Sequence, residues 1–355
     1  MLVIATIGPK TLTEETLNKI IESGANSIRI NFSHIPHHTA SKIINYVKET
    51  YPQVKIIADI QGSKIRVSGK LKEYFKVKEK ERVYFCAEDV YEDILKLWVN
   101  RDEKLIPLTI KKEQLLKHKI TLIYMKDGTM KFNVKKVQGN ILETTVVIGG
   151  YIRAEKGCNI PGIDRSQLSI TEKDRNDILF SIKNSVDIIL YSYVGYKKNI
   201  IQVKNFIERE LISSDRRYCP KLWAKIETEE GAKNIKEILE DVEGIVLGRG
   251  DLVPETNLYK VPIFQHRIAQ SIKHSRKDFI VATHIFDSLK NGQKPTVNEL
   301  NDIFYLILSG VTGLMLTGET SVGKSPCISV KTLKYSTDYY EKILKRSENC
   351  EKGRG

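Results

Sequence analysis

Lys225 and Glu227 stand two positions apart at the end of an apolar run, in LWAKIETEEG at 222–231. Side chains at i and i+2 of a strand share a face, so this ammonium and carboxylate point the same way. An isolated K-x-E is more simply an ion pair closing a strand, and the rest of the chain has to decide. Polar groups recur where other apolar runs end: Arg29, Asn31, Ser33 and His34; Asp59, with Lys64 and Arg66 just beyond; Arg249 and Asp251; Thr283; and Thr317, Glu319 and Thr320. Glu227 and Asp251 offer the one or two carboxylates by which Mg²⁺ is typically held while substrate oxygens fill the remaining positions. Lys225 and Arg29 would then face a transferring phosphoryl group, whose transition state is stabilised chiefly by charge and positioning. The turn GRGDL at 248–252 can present backbone N–H groups to an anion at the start of a short helix. The set points to phosphoryl transfer.

The elements that must position these residues are legible as short β-branched runs alternating with amphipathic stretches, the pattern of a parallel α/β fold. Strands are expected at 2–8, 27–33, 54–61, 186–194, 221–228, 244–249, 279–285 and 313–318, with helices such as TEETLNKIIES, HTASKIINYVKE, EGAKNIKEILED and VNELNDIFYLIL between them. Eight such units predict a (β/α)₈ TIM barrel, whose active site lies at the C-terminal ends of the strands. The alternation fails between 67 and 152, where strand-like pieces (RVYFCAE, KITLIYM, ILETTVVIGGYI) are separated by polar turns. A structureless loop of that length is implausible inside a compact domain, so a small all-β, β-barrel-like domain inserted after the third strand is expected there. The resulting division is a catalytic barrel from 1–66 and 153–345, an inserted lid domain at 67–152, and a loose polar tail at 346–355.

With 355 residues, 41% of them hydrophobic, the chain can build a full core. Its formal net charge of +13 favours anionic partners. The densest basic run, YFKVKEKERVYF, mixes lysines with glutamates, and no helix-turn-helix, zinc-finger or RNA-binding aromatic signature accompanies the charge, so neither nucleic acid nor a membrane is an expected partner. No stretch approaches the ~18 apolar residues of a membrane span, and the N-terminal MLVIATIGPK lacks a basic leader; a cytoplasmic location is expected. Five scattered cysteines without C-x-x-C spacing read as reduced thiols. GETSVGKS at 318–325 matches a P-loop, but Pro326 disfavours helical geometry at Ser325 and too little chain follows for the remaining strands of such a domain. RGD at 249–251 and NFS at 31–33 lie at strand ends and are set aside as adhesion or glycosylation signals.

An ordered series of segments carries a resemblance: TIGPKT at 6–11, SIRINFSH at 27–34, ADIQGSKIR at 58–66, KGCNIPG at 156–162, TEKDRNDI at 171–178, AKIETEEG at 224–231, GRGDL at 248–252, VATHI at 281–285, KPTVNEL at 294–300 and MLTGETSVGKSP at 315–326. Through these, nearly end to end, the chain resembles the pyruvate kinase family. The resemblance implies a barrel with a small β-domain after its third strand acting as a mobile lid, and transfer of the phosphoryl group of phosphoenolpyruvate to ADP, giving pyruvate and ATP, with Mg²⁺ or Mn²⁺. It implies that Lys225 contacts the transferring group, Arg29 grips the phosphate, and Thr283 sits near the enolate that is protonated. Glu227 and Asp251 would bind the metal; Gly250, Asp251 and Arg66 would contact substrate; Asn31, His34 and Lys156 would serve the nucleotide. Asn31, Ser33, Asp59 and the carbonyl of Ile60 match a monovalent-cation pocket.

Departures from the family pattern qualify this. QGSKIR places Lys64 where potassium-dependent members carry glutamate, and an ammonium can stand in for the potassium charge, so independence of K⁺ is expected. KDG leaves Asp127 alone where the family has two aspartates, SYVG at 192–195 lacks an arginine, His284 replaces a glutamine and Ile35 a glycine. The sequence ends at the eighth helix, whereas family members normally carry a C-terminal effector domain; sugar-phosphate activation of the usual kind is therefore not expected, and a homodimer through the barrel stays open. Two alternatives remain: a specialised paralogue acting on another enol acid or acceptor, and a non-catalytic regulatory or binding protein on a retained barrel. The intact Lys225, Glu227 and Asp251 weigh against the second.

Overall fold

The computed structural model describes residues 1–98, 102–117, 119–168, 170–213 and 218–352. In chain order its first strands are β1 (Leu2–Thr6), β2 (Ser27–Asn31), β3 (Lys55–Ile60), β4 (Ile65–Arg66), β5 (Phe75–Val77), β6 (Arg82–Ala87), β7 (Lys104–Leu108), β8 (Leu122–Met125) and β9 (Met130–Gln138). They are followed by β10 (Ile141–Ile148), β11 (Gly150–Ile152), β12 (Gly157–Asn159), β13 (Ile188–Tyr191), β14 (Lys221–Ile226), β15 (Gly244–Gly248), β16 (Asp278–Ala282) and β17 (Gly313–Leu316). The chain divides into two compact units: Met1–Gly62, Ser169–Arg249 and Pro262–Gly355 form one, and Ser63–Leu168 with Gly250–Val261 form the other.

The first unit is a closed barrel in the order β1-β2-β3-β13-β14-β15-β16-β17, every neighbouring pair parallel. Parallel strands walled by helices are buried on both faces, which is why they read as unbroken apolar runs. Ile4, Ile57, Ile188, Leu190, Trp223, Val246, Ile280 and Met315 cluster in this unit's core. All eight expected strands are present, each ending two or more residues before the expected limit except β3 and β15, which end one short. Several of the helices between them are started by side-chain caps: Thr13 before Glu14–Glu22, and reciprocal capping boxes Thr171/Asp174 before Glu172–Lys183 and Thr296/Glu299 before Val297–Leu308. The stretch read as one helix in EGAKNIKEILED is two, Glu229–Lys233 and Ile235–Glu240, broken at Asn234.

The second unit is built on a seven-stranded sheet, β4-β12-β8-β9-β10-β6-β7, with a separate β11–β5 pair. Phe85 and Phe132, edge to face at 5.3 Å between ring centres, lie in a core with Val83, Ile106, Ile123 and Leu142. Two short helices, Tyr91–Leu97 and Lys112–Lys117, interrupt its strands. The final helix, Pro326–Lys352, takes in 346–352 of the segment expected to be a loose tail, because no glycine or proline breaks the chain between 327 and 352; 353–355 lie outside the described residues. No described helix is long and apolar enough to cross a membrane. Cys86, Cys158, Cys219 and Cys327 are free thiols, and Cys350 lies outside the described side chains.

Candidate active site

Parallel register brings the first charged groups together. Arg29 stands opposite Thr6 on β1, and Asn31 opposite Asp59 on β3. The Arg29 guanidinium, 6% exposed, donates from Nε and Nη2 to Asp59 Oδ2, each at 2.6 Å, and from Nη1 to Thr6 Oγ1 at 3.0 Å. Ser192, just past β13, donates to the other Asp59 oxygen at 2.8 Å, and Lys225 Nζ lies 3.6 Å from Oδ2. Burial by itself would raise the Asp59 carboxyl, but the Arg29 and Lys225 charges and the Ser192 hydroxyl outweigh it and hold the group below the usual carboxylate range.

Lys225 Nζ also meets Glu227 Oε1 at 2.9 Å, so the i, i+2 pair does share a face, and Tyr193 N–H donates to Glu227 Oε2 at 3.2 Å. Glu227 is 1% exposed. Its side chain fits because the neighbouring position on β15 is glycine: a β-carbon on Gly248 would stand 2.7 Å from Glu227 Cγ. Arg29, Asp59, Lys225 and Glu227 thus form one alternating chain of charges at the strand ends of the barrel unit, with each carboxylate held between donors.

Beyond β16 the backbone turns left-handed at two consecutive non-glycine residues, Thr283 (φ 67°) and His284 (φ 55°). This conformation costs roughly 1–2 kcal/mol per L-residue, more readily tolerated where surrounding structure over-determines it. Here Arg249 spans the turn, donating to the carbonyls of both residues, while His284 Nδ1 pairs with Asp287 at 2.7 Å. The His284 bond, ahead of opposing burial, keeps the Asp287 carboxyl below its ordinary value.

The remaining barrel candidates are placed as follows. Asn31 Oδ1 accepts from the Ser33 N–H at 2.9 Å, and the Asn31 carbonyl accepts from His34 N–H at 2.9 Å; the Ile60 carbonyl accepts from Ser192 N–H at 3.3 Å. Gly62 sits at φ 61°, where a β-carbon would fall 1.9 Å from the Ser192 carbonyl oxygen, and its N–H is held by Asp174. That fixes the QGS turn by a residue with no signal in the local sequence. Glu319 and Thr320, read as groups of the strand-end rim, are instead buried staples: Glu319 accepts from the Phe286 and Thr317 N–H groups, and Thr320 donates to the Thr6 carbonyl. The segment resembling a P-loop forms a short helix Gly318–Ser321, and the following helix starts only at Pro326.

In the second unit Lys64 Nζ straddles the Asp251 carboxylate at 2.9 and 3.0 Å, and Asn159 donates to Asp251 Oδ1 at 3.2 Å. Gly157 leaves room for the Lys64 stem, whose Cε would be 2.7 Å from a β-carbon there. Asn159 and Arg165 both reach the buried Glu255, at 3.2 and 2.7 Å. Burial pushes the Glu255 carboxyl up despite these partners. Arg66 donates to the Glu155 carbonyl at 2.8 Å, and Lys156 to the Tyr151 carbonyl. Burial, then the nearby Lys126 and Arg153 charges, lowers the Lys156 ammonium below its ordinary value. Gly250 opens this unit's second segment beside Asp251.

Hard oxygen donors are what Mg²⁺ requires, and it is commonly bound by one or two carboxylates plus substrate oxygens. Glu227 in the first unit and Asp251 in the second are each a carboxylate of that kind, largely buried and carrying a lysine ammonium where a cation's charge is favoured. No cluster of three or more His, Cys, Asp or Glu suited to a metal occurs among the described residues.

A closed barrel of eight parallel strands, with basic and acidic groups at its strand ends, defines a (β/α)₈ barrel protein. The family profile described as "Pyruvate kinase, barrel domain" matches residues 1–330, and the chain belongs to this family. It is 33% identical over 350 residues to a pyruvate kinase of Thermococcus litoralis, covering 96% of this chain and 70% of that protein. Against pyruvate kinases of Clostridium perfringens and Geobacillus stearothermophilus identity is 31% and 32%, covering 93% of this chain in both cases and 68% and 55% of theirs. The chain thus spans between about half and about two thirds of the length of these relatives.

Proposed function

We propose that the chain transfers the phosphoryl group of phosphoenolpyruvate to ADP, breaking the bond from phosphorus to the enol oxygen and forming one to the terminal phosphate oxygen of ADP. The observation that carries this reading is the buried chain Arg29–Asp59–Lys225–Glu227, which orients two cations and two carboxylates without leaving any of them unneutralised. Lys225 and Arg29 bind the transferring group and receive its charge as the bond breaks. Glu227 and Asp251 would hold the divalent cation, which would supply charge neutralisation. Thr283 serves the enolate, which takes a proton at carbon to give pyruvate. Gly250 and Arg66 contact substrate; Asn31, His34 and Lys156 serve the nucleotide. Asn31, Ser33, Asp59 and the Ile60 carbonyl serve as the monovalent-cation pocket, and the charge of Lys64 removes the need for K⁺.

Phosphorus NMR of phosphoenolpyruvate with ADP and Mg²⁺ in potassium-free buffer, repeated with K⁺, tests the reading. Loss of the phosphoenolpyruvate signal with appearance of ATP in the first sample is expected; ATP only after K⁺ would keep the reaction and remove Lys64 as the substitute. Lys225→Met is expected to lower the rate by about a thousandfold or more with the fold intact, on the scale of losing a principal transition-state charge contact. A folded protein inactive in both samples would overturn the phosphoenolpyruvate reading and favour the paralogue for another enol acid or acceptor.

A further inference from the structure

Arg249 is 8% exposed, and its guanidinium makes no contact with a reacting group in the scheme above; what it does is hold backbone. Nε donates to the Thr283 carbonyl at 3.1 Å, and Nη2 donates to the Thr283 and His284 carbonyls at 2.9 and 2.8 Å. Its remaining nitrogen, Nη1, is turned away to Asp302 at 2.7 Å and Gln265 at 3.4 Å, so a carboxylate 53 positions further along the chain neutralises it. The two carbonyls it gathers belong to the two residues in left-handed conformation, one of them a β-branched threonine with φ 67°. A planar fork with five donors in fixed geometry can bracket such a turn, whereas a lysine ammonium cannot.

We propose that Arg249, neutralised by Asp302, is a positioning residue for Thr283: it locks the left-handed Thr283–His284 turn through its carbonyls and so fixes where the Thr283 hydroxyl stands when the enolate is protonated. This rests on the proposed transfer from phosphoenolpyruvate. Proton delivery to carbon follows phosphoryl transfer as a separate step, so a misplaced Thr283 slows the second more than the first. An arginine that merely stabilised the barrel would lower both together, through the folded fraction.

The test uses Arg249→Lys, Arg249→Ala with and without added guanidinium, and Asp302→Asn in the full chain. Two readouts are taken: amide hydrogen exchange of peptides covering 279–290, and the rate of solvent-proton exchange into the pyruvate methyl group with ATP and Mg²⁺, compared with phosphoryl transfer. For Arg249→Lys we expect faster amide exchange at 283–285 and a loss of methyl-proton exchange of roughly tenfold to a hundredfold, on the scale of about 1 Å misplacement. Phosphoryl transfer falls less, KM for phosphoenolpyruvate changes little, and guanidinium restores part of the loss in Arg249→Ala. Asp302→Asn, which keeps the shape of the site, moves both readouts in the same direction and serves if Arg249→Ala fails to fold. Unchanged amide exchange at 283–285, or a folded variant in which both chemical steps fall in equal proportion, would overturn the proposal. A folded wild-type protein that transfers no phosphoryl group would instead refute the proposed function and with it the catalytic half of the inference, while amide exchange would still decide whether Arg249 holds the turn.

Discussion

Replacing Asp59 by asparagine removes one charge from a buried cluster and almost nothing else. Asparagine has nearly the same size and keeps an acceptor for the Ser192 hydroxyl, now 2.8 Å from Oδ1. It leaves the Arg29 guanidinium, bound to Oδ2 at 2.6 Å by two nitrogens, facing a neutral amide with 7% of its side chain exposed to water, and Lys225 loses a carboxylate 3.6 Å away. Removing one partner of a buried ion pair costs about 3–5 kcal/mol, because the other charge stays behind without compensation. At about 2–4 °C per kcal/mol for a domain of 150–250 residues, the barrel should melt roughly 6–20 °C lower. The two tryptophans allow this unit to be followed by itself: Trp223 is wholly buried in the barrel core, whereas Trp98 belongs to the second unit, so a Trp98→Phe background leaves one reporter in the barrel. The sign of the pH dependence follows from the folded Asp59 carboxyl lying below its unfolded value of about 3.9. Its contribution is therefore fully present above the unfolded value and is lost as pH falls through the folded one. The gap between parent and Asp59→Asn should be constant from pH 7 to pH 5 and narrow only under strongly acid conditions. A variant that melts within about 2 °C of its parent at pH 7 would show that Asp59 does not hold the two cations.

Lys64→Glu sets a carboxylate against Asp251 in place of an ammonium at 2.9 and 3.0 Å. We expect the potassium-free rate to fall about tenfold or more, a change of ~1.4 kcal/mol in barrier, and to recover on adding K⁺; an unchanged potassium-free rate would remove Lys64 as the stand-in. Burial pushes the thiols of Cys86 and Cys158 up to about 12, so neither should react with an aromatic disulfide reagent at pH 8 until the second unit is unfolded by urea. Mass-spectrometric mapping that finds either one modified within minutes in the native protein would contradict their placement in that unit's core.

Strand ends proved to be where the sequence pattern is both most informative and least accurate, for a single reason. Apolar, β-branched runs identify all eight barrel strands because both faces of a parallel barrel strand are buried. The same runs overshoot at the C-terminal side because the chain leaves strand geometry as it reaches the polar groups: expected strand 279–285 stops at Ala282, and the next two residues are left-handed. Residue type at a strand end can be read one position at a time, and Lys225, Glu227, Arg29 and Asp59 stand out on that ground alone. Pairing cannot be read that way. Asp59 meets Ser192 across 133 positions, Lys64 meets Asp251 across 187, and Asp174 reaches the Gly62 N–H across 112, with no local pattern to announce any of them. Glu319 and Thr320 show the converse error, since polar residues after a strand look alike whether they face a ligand or hold a loop, and these two hold loops. Arg249 falls between the cases: its charge at the end of the sixth run was visible, but its task of bracketing two carbonyls depends on the conformation of residues 34 and 35 positions away. Arg249 and Arg29 are both buried arginines at barrel strand ends, each with a carboxylate partner, Asp302 for one and Asp59 for the other; what separates them is that Arg249 also gathers two backbone carbonyls whereas the other group Arg29 reaches is the Thr6 hydroxyl.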